Sequence, residues 1–152
     1  MMQKKVQIIS DGSLDLSQEL TKEKDIEVVP FYVSFDSETY QKEMVEVGVR
    51  EFYQEMVDHP TVFPKTSMPS VHDYYEVFEK HAKEQLPVIC ICITRKFSGS
   101  LQSATTAKDM ILEEYPDAQI TVIDSTVNTV LQGLYVLEAC RPVSYTHLRA
   151  HE

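Results

Sequence analysis

The sequence has no tryptophan and only four glycines, Gly12, Gly48, Gly99 and Gly133. None of them builds a GxGxxG or Walker-type loop, so a backbone cradle for nucleotide phosphates is not expected. No GxSxG elbow is present, which leaves a hydrolase serine without a motif. The three cysteines, Cys90, Cys92 and Cys140, lack the number and spacing of a disulfide scaffold or a zinc site. They point to a reducing, cytoplasmic setting. His59, His72 and His81 have no partner spacing for zinc, and no metal or cofactor is expected. No apolar run approaches the roughly 20 residues of a membrane-spanning helix. Met1–Ser10, with Lys4 and Lys5 followed only by Val6, Ile8 and Ile9 as apolar residues, is too polar for a signal peptide. Positive charge is scarce. Fourteen Lys and Arg against 24 Asp and Glu give a net charge of −10, which disfavours nucleic acid and anionic membranes as partners.

What remains is an ordinary soluble composition, 43% apolar and 25% charged, in 152 residues, enough for one domain. Val6-Gln7-Ile8-Ile9 followed by Ser10-Asp11-Gly12-Ser13 predicts a strand and a turn. Ser13 or Asp15 is expected to cap a short helical turn over Leu16–Leu20. Ile26–Phe35 predicts a strand that Pro30 places at an edge or breaks. Val49, Phe52, Tyr53, Met56 and Val57 lie at helical spacing, and His59-Pro60 ends that helix. Thr61–Ser70, with three prolines in or bordering it, predicts a loop. Ser70 then caps an amphipathic helix carrying Val71, Tyr74, Tyr75, Phe78 and Ala82, the aromatics forming a core stripe. Val88–Ile93 and Gln119–Ile123 predict strands buried on both faces, with Cys90 and Cys92 as small core residues. Helices are expected over Leu101–Glu114 and from about Asn128 to Cys140. The alternation predicts an α/β domain with a mostly parallel sheet flanked by helices and right-handed crossovers.

In such sheets ligands gather at the carboxyl ends of the strands. Three predicted ends carry similar chemistry: Asp11-Gly12-Ser13, Ser98-Gly99-Ser100 and Asp124-Ser125-Thr126. Hydroxyls and free N–H groups at a helix start suit an anion. Helix capping alone, worth about 1 kcal/mol each, explains any single one of these turns. Thr66-Ser67-Met68-Pro69-Ser70 is a further hydroxyl cluster, held between Pro64 and Pro69. It reads equally as an orienting loop or as a connector that starts the next helix.

Together these motifs resemble the DegV family of fatty-acid-binding proteins. Asp11-Gly12-Ser13-Leu14-Asp15-Leu16 resembles the family's Asp-Ser-x-x-Asp-Leu signature, with Gly12 where serine is usual. Val28–Val33 resembles its second strand. Thr66-Ser67-Met68-Pro69-Ser70 resembles Thr-Ser-Gln-Pro-Ser, with Met68 in place of glutamine. Phe97-Ser98-Gly99-Ser100-Leu101-Gln102-Ser103-Ala104 resembles Leu-Ser-Gly-Thr-Tyr-Gln-Ser-Ala, and Thr94 and Arg95 stand where two serines are common. Val122-Ile123-Asp124-Ser125 resembles the family's Asp-Ser strand end. The resemblance implies the amino-terminal domain of a two-domain protein, with the second domain missing. It implies a long-chain fatty acid in an apolar tunnel between the domains, its carboxylate on Thr66 and Ser98. Asp11, Ser67, Gly99, Ser100, Gln102 and Ser125 would support that site, with the N–H groups of Gly99 and Ser100 as added donors. It further implies a non-catalytic subunit that presents the acid to a fatty acid kinase for conversion to acyl phosphate. The competing reading is a hydrolase or transferase with Ser98 as nucleophile, which needs a base such as His72 or His81 within reach; a plain interaction module is a third.

The last residues, Val143 to Glu152, resemble one reading frame of the transposase adapter used in short-read sequencing libraries, and Pro142 fits the bases before it. The expectation is therefore a natural segment 1–141 and an adapter-derived tail 142–152.

Overall fold

The computed structural model describes residues 6–144, with side chains as far as Arg141. The expected adapter-derived tail and the first five residues lie outside the described residues in whole or in side chain. Along the chain run β1 (Gln7–Asp11), a 3-10 turn (Gly12–Leu14), α1 (Gln18–Glu23), β2 (Ile26–Val29), β3 (Tyr32–Ser34), β4 (Gln41–Lys42) and α2 (Val49–Asp58). They are followed by β5 (Lys65–Ser67), α3 (Val71–Lys83), β6 (Val88–Cys92), α4 (Ser100–Glu114), β7 (Ile120–Asp124) and α5 (Thr129–Ser144).

The apolar runs build a four-stranded sheet in the order β2-β1-β6-β7, every neighbouring pair parallel. Helices cover both faces, as unbroken apolar strands require. On one face Tyr74 and Phe78 of α3 and Ala104, Ala107 and Ile111 of α4 pack over Ile9, Val88, Cys90 and Cys92. The alanines leave room for the two rings, whose centroids lie 5.8 Å apart. Full burial of each ring stabilises the fold by about 2–3 kcal/mol. On the other face Val136 and Cys140 of α5 close over Ile8, Ile26, Ile91 and Leu14.

The chain leaves this sheet at Pro30-Phe31, where the expected strand breaks in two: β2 forms the sheet's edge, and β3 enters a small antiparallel sheet of order β4-β3-β5. Three expectations need correction. Part of the predicted Thr61–Ser70 loop is strand, because Lys65, Thr66 and Ser67 pair with Ser34, Val33 and Tyr32. The first helix starts later than Leu16, since Ser17 is its N-cap, accepting from the Leu20 N–H at 3.2 Å, while Asp15 sits in a left-handed turn at φ 48°. β7 is not buried on both faces; it is an edge strand on which only Ile120 is buried and Thr121 is exposed. Ser70 caps α3 as expected, accepting from Asp73 N–H at 3.1 Å while Asp73 accepts from Ser70 N–H at 2.8 Å.

Candidate functional site

The carboxyl ends of β1, β6 and β7 lie side by side, so the three polar turns share one end of the sheet. Asp11 joins them. Its Oδ2 accepts from the Ile93 N–H at 2.9 Å and the Ser100 hydroxyl at 2.8 Å; its Oδ1 accepts from the Gln132 amide at 2.8 Å and the Ser13 N–H at 3.3 Å. The side chain is fully buried, and burial pushes its pKa up against the pull of those four bonds. Because Ser100 gives its hydrogen to Asp11, the Tyr74 hydroxyl donates its own to Ser100 Oγ, at 2.6 Å. Asp11 and Ser100 are thus the buried frame of this end, closed to solvent.

Ser98 lies one turn outward. Its Oγ accepts from the Ser100 N–H at 3.2 Å, and its hydroxyl hydrogen has no acceptor among the described residues. The Ser100 N–H, expected as a ligand donor, is therefore committed to Ser98. Thr66 and Ser67 are exposed on β5, with no side-chain hydrogen bond among the described residues. The two hydroxyl motifs meet through Met68 and Gly99: a β-carbon on Gly99 would lie 2.6 Å from the Met68 sulfur. Met68 fills the space above Gly99. Gln102 stands apart, exposed on α4 and donating to Thr106 Oγ1 at 3.3 Å. Ser125 is buried and locks its own turn, its hydroxyl donating to the Val127 carbonyl at 3.0 Å and its N–H to the Cys92 carbonyl at 3.0 Å.

The sequence reading missed four contributors. Gln132 is fully buried, holds Asp11 and the Ser10 hydroxyl through its amide nitrogen, and leaves its carbonyl oxygen unpaired. As the one amide in the apolar run Val130–Tyr135 it was open to notice. Tyr32, Lys42 and Asp73 form a clasp. The Tyr32 hydroxyl reaches both Asp73 carboxylate oxygens, at 2.8 and 3.0 Å, and Lys42 Nζ lies 3.2 Å from Oδ1. Burial opposes the charge on Asp73, but bonds from Ser70, Tyr32 and Lys42 together hold its pKa below the ordinary value. The clasp sets the small sheet against the start of α3.

His81 sits against Glu27, its Nε2 at 2.6 Å from Oε2, and the exposed His72 faces Glu76 at 3.4 Å. Neither bonds to Ser98 among the described residues. Among the described residues no group of three or more His, Cys, Asp or Glu could hold a metal ion, and no helix is long and apolar enough to cross a membrane. A cavity of about 510 Å³ opens at the opposite end of the sheet, between Leu86-Pro87 and Tyr115–Gln119, and contains none of the predicted residues.

The family model described as an uncharacterised protein of the DegV family matches residues 5–144. A DegV domain-containing protein of Clostridium perfringens is 32% identical over 136 residues, 90% of this chain and 47% of that protein. One from Halalkalibacterium halodurans is 36% identical over 140 residues, 91% and 47% of the two chains. Among solved structures, a stearic-acid-binding protein from Eubacterium ventriosum has a TM-score of 0.89 at 47% identity, covering 91% of this chain and 47% of that one. A DegV family protein from Thermus thermophilus, described by its fatty acid binding, has a TM-score of 0.77 at 29% identity, covering 94% and 49%. The chain spans about half the length of these relatives. With the sheet order, the hydroxyl turns and a family match running through nearly all of its length, the chain belongs to the DegV family.

Proposed function

We propose that the chain is the amino-terminal half of a protein that holds a long-chain fatty acid by its carboxylate and presents it to a separate fatty acid kinase, which converts it to acyl phosphate. In this reading it is a non-catalytic carrier in the cytoplasm that needs no cofactor. Thr66 and Ser98 donate to the carboxylate, with Ser67 and the Gly99 N–H beside them, while Asp11, Ser100 and Ser125 hold the turns in place. Hydrogen bonds to an ionised acceptor are about twice as strong as neutral ones, so a few hydroxyls suffice without a buried cation.

The observation that carries this reading is the meeting of two hydroxyl motifs at one end of the sheet, Met68 of the first lying on Gly99 of the second, with the hydroxyl hydrogens of Thr66 and Ser98 uncommitted among the described residues. The stearic-acid-binding relative at 47% identity supports the ligand class. The two histidines that a serine enzyme would draw on are engaged elsewhere, His81 by Glu27 and His72 by Glu76.

The test is titration with labelled palmitate of a polypeptide extended to the length of the relatives. Each lost bond to a charged group is worth about 1.5–3 kcal/mol. The Thr66→Ala/Ser98→Ala double variant is expected to bind at least roughly tenfold more weakly, and an unchanged affinity rejects the assignment. The carrier role is checked separately: acyl phosphate is expected only when the kinase subunit and ATP are added.

A further inference from the structure

The small antiparallel sheet carries Thr66, while the parallel sheet carries Ser98, so the relation between the two sheets decides whether the two hydroxyls face one ligand. Apart from the chain itself at Pro30-Phe31, one side chain bridges them at the end of β1. Glu43, directly after β4, turns its carboxyl toward Gly12. A β-carbon built on Gly12 lands on the Glu43 Oε1, with Cδ only 3.0 Å away. The same Oε1 accepts from the Phe31 N–H at 3.1 Å, and the Glu43 N–H donates to the Phe31 carbonyl at 3.0 Å. Glu43 therefore grips the residue at which the chain passes from one sheet to the other, and does so in space that exists only because residue 12 lacks a side chain. Burial raises the Glu43 pKa, the Phe31 bond opposes this, and the charges of Asp15 and Asp11 add to the rise. A carboxyl kept there against burial and like charge is held by its shape and its bond to Phe31.

We infer that Glu43 is a positioning residue: its carboxyl, seated in the room left by Gly12, sets the small antiparallel sheet, and with it Thr66, on the carboxyl end of β1. The importance of Thr66 rests on the function proposed above; the seating of Glu43 does not. Gly12 stands where the family resemblance leads one to expect serine, and the pairing explains the departure, since a side chain at 12 and the Glu43 carboxyl cannot occupy the same space.

The experiment is a cycle of Gly12→Ala, Glu43→Ala and the double variant in the 152-residue chain, with Glu43→Gln as the conservative replacement. Gly12→Ala is expected to lower the thermal midpoint by about 5 °C in the wild-type background and by under about 2 °C in the Glu43→Ala background. Amide exchange at Lys65–Ser67 is expected to rise several-fold in Gly12→Ala and Glu43→Ala, while Val88–Cys92 stays protected. Glu43→Gln, which keeps the shape and an acceptor for Phe31, is expected to behave as wild type. If Gly12→Ala does not fold, the contrast between Glu43→Ala and Glu43→Gln carries the same decision. A fall that is absent or equal in both backgrounds overturns the inference. So does exchange that rises evenly over both sheets, or a Glu43→Gln variant as loose as Glu43→Ala. No ligand enters the cycle, so a failure of the fatty-acid reading appears in the palmitate titration and not here.

Discussion

Asp11 shows how much a single buried carboxylate can organise. It satisfies donors from its own turn, from the end of β6, from the first residue of α4 and from the first turn of α5. Asp11→Ala would strand those donors in a dry environment and is expected to cost about 3–5 kcal/mol in urea unfolding. Asp11→Asn keeps one acceptor for Ile93 and Ser100. Its new amide would face Gln132, whose unpaired carbonyl oxygen becomes an acceptor if the Gln132 amide turns over. A milder loss of about 1–2 kcal/mol is expected. The two variants also differ from wild type in their pH dependence. Burial holds the native pKa of Asp11 above the ordinary 3.8, so between 3.8 and the native value the folded state keeps a proton that the unfolded state has released. Stability from this group is present below pH 3.8 and is lost as pH rises through the native value. Asp11→Asn should lack that slope, which unfolding curves across the acid range would reveal. The sequence made Asp11 visible as a turn residue but not as a hub, because three of its partners lie 82, 89 and 121 positions away.

At the scale of elements, the parallel sheet was largely legible and the small sheet was not. Val88–Ile93 announces a buried strand by its unbroken apolar run, and Ser70 announces a helix start by side-chain chemistry alone. β4 and β5 carry only two and three residues, too few for alternation to register. They exist because β3 offers pairing partners on both sides and because Asp73 clasps Tyr32 and Lys42 from α3. Asp73→Asn should loosen this attachment at a cost of about 1–2 kcal/mol at neutral pH. The sign follows from the lowered native pKa: the charged clasp contributes above pH 3.8 and is lost as pH falls through the lower native value. The difference between Asp73→Asn and wild type should therefore shrink in strong acid; a constant difference would show that charge plays no part. β7 illustrates the opposite error. Its apolar sequence predicts burial on both faces, yet it ends the sheet, because neighbours rather than composition decide which strands are central.

At the scale of the whole molecule, two helices carry several exposed apolar side chains each. Val130, Leu131, Leu134 and Tyr135 are exposed on α5, and Val49, Tyr53, Met56 and Val57 on α2, whose Phe52 touches Phe35 at 5.2 Å between ring centroids. Exposed apolar stripes of this kind favour association. Sedimentation of the 152-residue chain is expected to show concentration-dependent self-association that Leu131→Lys/Leu134→Lys abolishes without lowering the thermal midpoint by more than about 2 °C. A monodisperse wild-type chain would contradict this. The candidate site was legible as two hydroxyl motifs, yet their meeting was not, since sequence carries no sign that Met68 would lie on Gly99. The long separations gathered at Asp11 also have a consequence in time. At about 5–20 residues per second, synthesis delivers Gln132 on the order of 10 s after Asp11. Through that interval Asp11 is a hydrated carboxylate with its distant partners not yet made, and long-range parallel pairing is slow even afterwards. Asp11, made well before its distant partners, is thus expected to be among the last residues to reach its native surroundings.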